Sequence, residues 1–236
     1  MAGGSVGEQA GPAGQGAVPA DPAETLAPIH FLRTGDPGSV RVRVVDGALD
    51  CLARQGVAKT TVDDIARAAG VSRATVYRSF PGGKEGVLAA VVDTEVARLY
   101  SALAVAMGEA ADLEDLVVAG LTTAARRLSS HAALTYLCEH EPGAVLPHLA
   151  FDQMDRVLLA ASSFCAPFFA RWLAPEEASR AAEWTARLVL SYLANPGATD
   201  LTRADHARHL ARTFVVPGLE ALRAAGPDHP STAGPE

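Results

Sequence analysis

An all-helical fold is predicted by three features of the chain. Ala, Leu and Val dominate a composition that is 49% hydrophobic but only 6% aromatic, and Ala and Leu are strong helix formers. Apolar residues recur at spacings of three and four, the stripe that an α-helix buries. Gly and Pro punctuate those stripes at a few discrete points. A chain of 236 residues closes a substantial core without disulfide or metal staples.

Residues 1–38 carry 8 Gly and 5 Pro and no apolar periodicity beyond Ile29–Leu32, which predicts a disordered tail. Residues 226–236 read the same way. Order is expected from Val40, where Val42, Val45, Leu49 and Leu52 form the stripe of a first helix ending at Gly56. Thr61 is placed to cap a second helix over 62–69, with Asp63 and Asp64 at the positive end of its dipole. Gly70 closes it, and Ser72 caps a third helix over Arg73–Ser79. Pro81-Gly82-Gly83 breaks the chain before a long fourth helix from Lys84 to Met107. Further helices are expected near 112–130, 132–141, 151–173, 176–194 and 203–224, with kinks at Pro167 and Pro217. Pro142-Gly143 and Asn195-Pro196-Gly197 are the loop signals.

Two short helices joined at Gly70 make a helix-turn-helix over 61–80, the arrangement that lays its second helix in the major groove of DNA. Val62, Ile65, Ala66, Ala69, Val71, Val76 and Phe80 supply its apolar core. Arg73 opens the second helix, where its guanidinium suits either guanine O6 and N7 or a phosphate. Thr75 suits a base edge or a thymine methyl. Thr61, Ser72, Tyr77, Arg78 and Lys84 suit phosphate oxygens, which fix register without reading sequence. Charge agrees with this placement. The whole chain carries −7, but Gly38–Leu88 holds 8 Lys/Arg against 5 Asp/Glu, leaving −10 elsewhere; a basic head on an acidic body suits contact with DNA at one end.

Thr60–Phe80, followed by Lys84-Glu85 and Leu88, resembles the tetracycline-repressor (TetR) family at many positions with fixed spacing. The resemblance spans about 50 residues, Val40–Leu88. It implies an all-α homodimer with a small DNA-binding domain and a larger helical domain for a small effector. The domains implied are 39–88 for DNA binding and 89–225 for effector binding and dimerisation, between the two tails. The family's DNA-contacting positions fall on Thr61, Ser72, Arg73, Ala74, Thr75, Tyr77, Arg78, Ser79 and Lys84. Many members carry histidine where this chain has Ser79, and their link to the lysine is shorter than Pro81-Gly82-Gly83.

The stripe Met154, Val157, Leu158, Ala161, Phe164, Cys165, Phe168 and Trp172 reads as core or as the lining of a cavity. Paired with nearby polar groups, it nominates Tyr136, His140, Met154, Phe164 and Phe168 for a mainly apolar effector. Trp184, Leu188, Ser191 and Asn195 share one side of the penultimate helix, which with the last helix is the candidate dimer interface, because the resemblance puts a four-helix bundle there.

No nucleophile elbow, phosphate-cradling loop, Cys-x-x-Cys or His-Glu-x-x-His occurs, so no enzyme, catalytic residue or cofactor is expected. His206 and His209, like Glu139, His140, Glu141 and His148, read as solvated polarity before they read as metal ligands. Cys51, Cys138 and Cys165 lie far apart in apolar stretches and read as buried thiols of a reducing cytoplasm. No signal peptide or membrane-spanning run is visible. The reading is therefore a cytoplasmic regulator, a repressor released from palindromic double-stranded operator DNA by its effector. The alternative is a DNA-binding adaptor answering to a protein partner.

Overall fold

The computed structural model describes residues 38–145, 151–195 and 197–225. Both Gly/Pro-rich termini and His148 lie outside the described residues.

Regular structure among the described residues is helical. The N-terminal head is built from α1 (Val40–Lys59), α2 (Val62–Ala68), α3 (Arg73–Ser79) and the start of α4 (Gly83–Gly108). At seven residues each, α2 and α3 are too short to persist alone. They are held by burial against α1 and α4. Val44, Ile65, Val76 and Val87 lose all solvent exposure, each contributing ~1.5–3 kcal/mol relative to an exposed side chain. Leu52, Val62, Ala66, Ala69 and Phe80 also belong to the cluster, with Val71 half-buried at its edge.

The first helix does not stop at Gly56. It leaves helical geometry there (φ 76°, ψ −176°) and resumes for one more turn to Lys59. Such a break strands backbone amides, and a distant side chain collects them. The Glu141 carboxylate accepts the N–H groups of Val57 at 2.8 Å and Ala58 at 3.2 Å. On the same turn, Lys84 Nζ donates to the Val57 carbonyl at 2.5 Å.

The body consists of the rest of α4, α5 (Leu113–Ser129), α6 (Ala132–His140), α7 (Pro142–Val145), α8 (Phe151–Phe169), α9 (Pro175–Ala194), α10 (Ala204–Leu210) and α11 (Val216–Ala225). Asp112 caps α5 by accepting the Asp115 amide at 2.8 Å, and Arg126 and Arg127 close its negative end. The body core gathers Leu116, Val117 and Leu121 of α5, Met107 of α4 and Phe169 of α8. Helices α8 and α9 pack along one another across a short link.

Three further expectations change. Pro142 does not sit in an open loop but at the first position of the single-turn helix α7, where its missing N–H is one the helix leaves unbonded anyway. The final helix is not continuous: between α10 and α11, Ala211–Val215 widens into a π-turn in which the Val216 amide reaches back to the Ala211 carbonyl. Pro217 explains this, because its ring cannot follow an undisturbed α-turn and the bulge makes room for it. Finally, Cys138 is exposed. Helix α6 buries Ala133 in the head core, and a residue five positions on points about 140° away.

Candidate nucleic-acid interface

The turn between α2 and α3 closes by backbone hydrogen bonds alone: Gly70 N–H reaches the Arg67 carbonyl at 3.2 Å and Val71 N–H the Ala66 carbonyl at 3.0 Å. Caps then fix where each helix begins. Thr61 and Asp64 form a reciprocal capping box: Asp64 N–H donates to Thr61 Oγ1 at 3.2 Å, and Thr61 N–H to Asp64 Oδ2 at 3.1 Å. Ser72 caps α3 by accepting the Thr75 amide at 3.2 Å, with the two hydroxyls 2.8 Å apart.

Hydrogen bonds from Thr61, then from Arg67, hold the Asp64 carboxyl down from its ordinary 3.8 to about 2. A depressed carboxyl contributes stability above its unfolded value and loses it as pH falls through the folded one. Thr61→Ala is accordingly expected to destabilise the protein at neutral pH, through loss of the helix cap and of the hydrogen bonds to Asp64. In urea denaturation the gap between the variant and the parent narrows as pH falls from 3.8 towards about 2.

Around this frame Ser72, Arg73, Ala74, Tyr77 and Arg78 are exposed, with Thr75 and Ser79 half-buried. They form one continuous outer surface of α3. Arg78 Nη2 donates to Thr75 Oγ1 at 3.4 Å, so Ser72, Thr75 and Arg78 are linked. The Arg73 guanidinium donates to Asp63 Oδ2 at 3.0 Å and to the Tyr77 hydroxyl at 3.5 Å. Tyr77 in turn leans over Gly83, where φ is +59° and an added Cβ would lie 2.9 Å from the ring. Glycine meets both demands at that point.

Lys84 is the predicted contact that behaves differently. Its ammonium is bound inward to the Val57 carbonyl, so it joins α4 to α1. Five further residues escape sequence reasoning. Arg41 donates to the Ser79 carbonyl at 2.5 Å and lies 4.4 Å over the Phe80 ring, closing the carboxyl end of α3. Asp46, Arg98, Glu95 and His131 run as a chain from the head into the body, with links of 2.8, 2.6 and 3.2 Å. Apart from the Arg98–Glu95 pair within α4, these are long-range pairings, which helical periodicity does not encode.

The candidate effector residues fall into two groups. Phe164 and Phe168 meet at 5.7 Å, and Tyr100 of α4, absent from the sequence reading, stacks on Phe164 at 4.3 Å. Burial pushes both the Tyr100 hydroxyl and the neighbouring Cys165 thiol up to about 12, so both stay neutral. Tyr136 and His140 stack on each other at 4.3 Å along α6. Met154 is half-buried on α8. A groove of about 310 Å3 opens elsewhere, between the end of α4, α5 and α10. A second cavity of about 80 Å3 separates α5 from α9 and the 199–202 segment. Neither is lined by the five nominated residues.

His206 accepts the Asp200 amide at 3.1 Å. Among the described residues no group of three or more His, Cys, Asp or Glu is placed to hold a metal. No helix among them is long and apolar enough to cross a membrane.

Comparison with known proteins agrees with this geometry. The family model for bacterial regulatory proteins, tetR family, matches residues 44–91, which contain the helix-turn-helix. An uncharacterized HTH-type transcriptional regulator of Mycobacterium tuberculosis is 27% identical over 197 residues, spanning 82% of this chain and 92% of the relative. The HTH-type transcriptional regulator SrpR of Pseudomonas putida is 40% identical over 83 residues, 30% of this chain and 38% of SrpR. Among solved structures, the TetR family repressor AlkX from Dietzia shares the fold with a TM-score of 0.58 at 21% identity, covering 80% of this chain and all of AlkX. Residues 44–91 thus match the bacterial tetR-family regulatory module, and the relatives it is similar to are named helix-turn-helix transcriptional regulators.

Proposed function

We propose that the protein is a cytoplasmic repressor that occupies a two-fold operator as a homodimer, with Arg73 reading a base in each half-site. The observation that carries this reading is the outer surface of α3. Its polar and basic side chains stand free of the core while Val76 and Phe80 anchor the helix beneath them. One seven-residue helix reads too few bases for specificity, so paired half-sites follow. Trp184 on α9, Phe214 in the π-turn and Leu222 on α11 keep 43%, 70% and 40% of their surface exposed. A second copy covering these helices removes that apolar area from water.

The test compares the parent protein with Arg73→Ala on selected operator and scrambled DNA by fluorescence anisotropy at several salt concentrations. The expected loss is about 1–3 kcal/mol per half-site on the operator and far less on scrambled DNA. Equal loss on both would assign Arg73 to phosphate.

For control of binding, the reading is a mainly apolar small molecule entering the aromatic cluster of Tyr100, Phe164 and Phe168 and releasing the operator. The adaptor reading draws on Val92, Val96 and Val105 of α4, which are exposed on the helix that joins head to body. Operator release by an apolar compound, lost in a Phe164→Trp variant that still binds DNA, supports the first. Indifference of operator binding to every compound that binds the body supports the second.

A further inference from the structure

We infer that Asp63 determines sequence specificity by positioning the Arg73 guanidinium, an inference that rests on the base-reading role proposed for Arg73. An acidic side chain beside a recognition helix repels phosphate and calls for a reason. The positive end of the α2 dipole favours a carboxylate at Asp63 without fixing where it points, and the capping box does not use it, because Asp64 closes that box with Thr61 and is further committed to Arg67 at 3.0 Å. The Asp63 carboxylate instead points across the motif to Arg73, ten residues on, and holds Nη1 at 3.0 Å. Tyr77 holds Nη2 from the other side at 3.5 Å.

An exposed pair of this kind adds little to stability. In this pair the side chains are 59% and 55% exposed, so the consequence lies in direction. A free arginine samples many rotamers, and bidentate pairing with guanine needs the planar fork fixed in one of them. With one edge of the guanidinium taken by Asp63, the remaining N–H groups face outward in a set orientation. The carboxylate also deters Arg73 from swinging to a neighbouring phosphate. Asp63 therefore trades some overall affinity for discrimination at the base Arg73 reads.

The experiment uses the full chain and an operator duplex selected from random DNA by the parent protein. Each base pair of a half-site is replaced in turn, and binding of the parent, Asp63→Ala, Asp63→Asn and Arg73→Ala is measured beside a scrambled duplex. Arg73→Ala is expected to abolish discrimination at one base pair per half-site. Asp63→Ala reduces discrimination at that same base pair about 5- to 10-fold while binding scrambled DNA more tightly than the parent. Asp63→Asn, which keeps one acceptor oxygen, falls between. Melting temperatures of both Asp63 variants stay near the parent value, since the side chain is exposed. If Asp63→Ala tightened binding to every duplex equally and left discrimination intact, Asp63 would be a mere competitor for Arg73 and the inference would fail. If instead Arg73→Ala left discrimination unchanged at every base pair, the base-reading role itself would fail, a distinct result.

Discussion

Replacing Gly56 with alanine is expected to destabilise the protein by about 2–4 kcal/mol, although it adds one methyl group at a helix end. Two effects combine. Gly56 sits at φ 76°, ψ −176°, a region closed to side chains, and forcing alanine into it costs about 1–3 kcal/mol. The new Cβ would also collide with the Glu141 carboxylate. That clash is relieved when the flexible carboxylate swings away, but the Val57 and Ala58 amides then lose their charged acceptor. Glu141→Ala removes only the second effect and is expected to cost about 1–2 kcal/mol. Because both substitutions disrupt the same hydrogen bonds, the double variant falls short of the sum of the singles. Urea denaturation at one fixed protein concentration measures all three, since association shifts apparent stability. Strict additivity would show that Glu141 does not act on the Gly56 turn.

Phe214→Glu is expected to leave the fold intact and separate the proposed dimer. The residue is 70% exposed in one copy, so its loss removes little packing from the protomer, whereas a carboxylate buried between two copies has no partner. Sedimentation equilibrium should show a monomer. Operator affinity should fall at least about a hundredfold, because a dimer binds its second half-site at high effective concentration and a monomer does not. Val105→Glu is the control: this residue is also exposed, at 63%, but lies on α4, away from the proposed interface, and the dimer should persist. A Phe214→Glu protein that remained dimeric with full affinity would place the interface elsewhere.

The parts legible in the sequence were those governed by local rules. The caps at Thr61 and Ser72 act over three residues, and the apolar stripe of α2 and α3 repeats with the helical period, so both follow from spacing. Gly56 was legible as a break, but the extra turn to Lys59 was not. That turn depends on Glu141, whose carboxylate arrives from the far end of α6. Lys84 shows the same limit. Its place at the start of α4 reads as a phosphate contact, while its hydrogen bond to Val57 follows from how α4 crosses α1. In the body, the α8 stripe identified Phe164 and Phe168 as inward-facing, yet their stacking partner Tyr100 belongs to another helix. The π-turn before Pro217 was foreseen as a disruption, and its form reflects how the chain absorbs a proline without ending the helix.

Selection of bound sites from random double-stranded DNA by the full-length protein tests the central claim most directly. The account predicts an enriched inverted repeat whose half-sites lie about one helical turn apart, matching two α3 helices related by a two-fold axis. Enrichment of a single asymmetric half-site, or no enrichment over the starting pool, would contradict it.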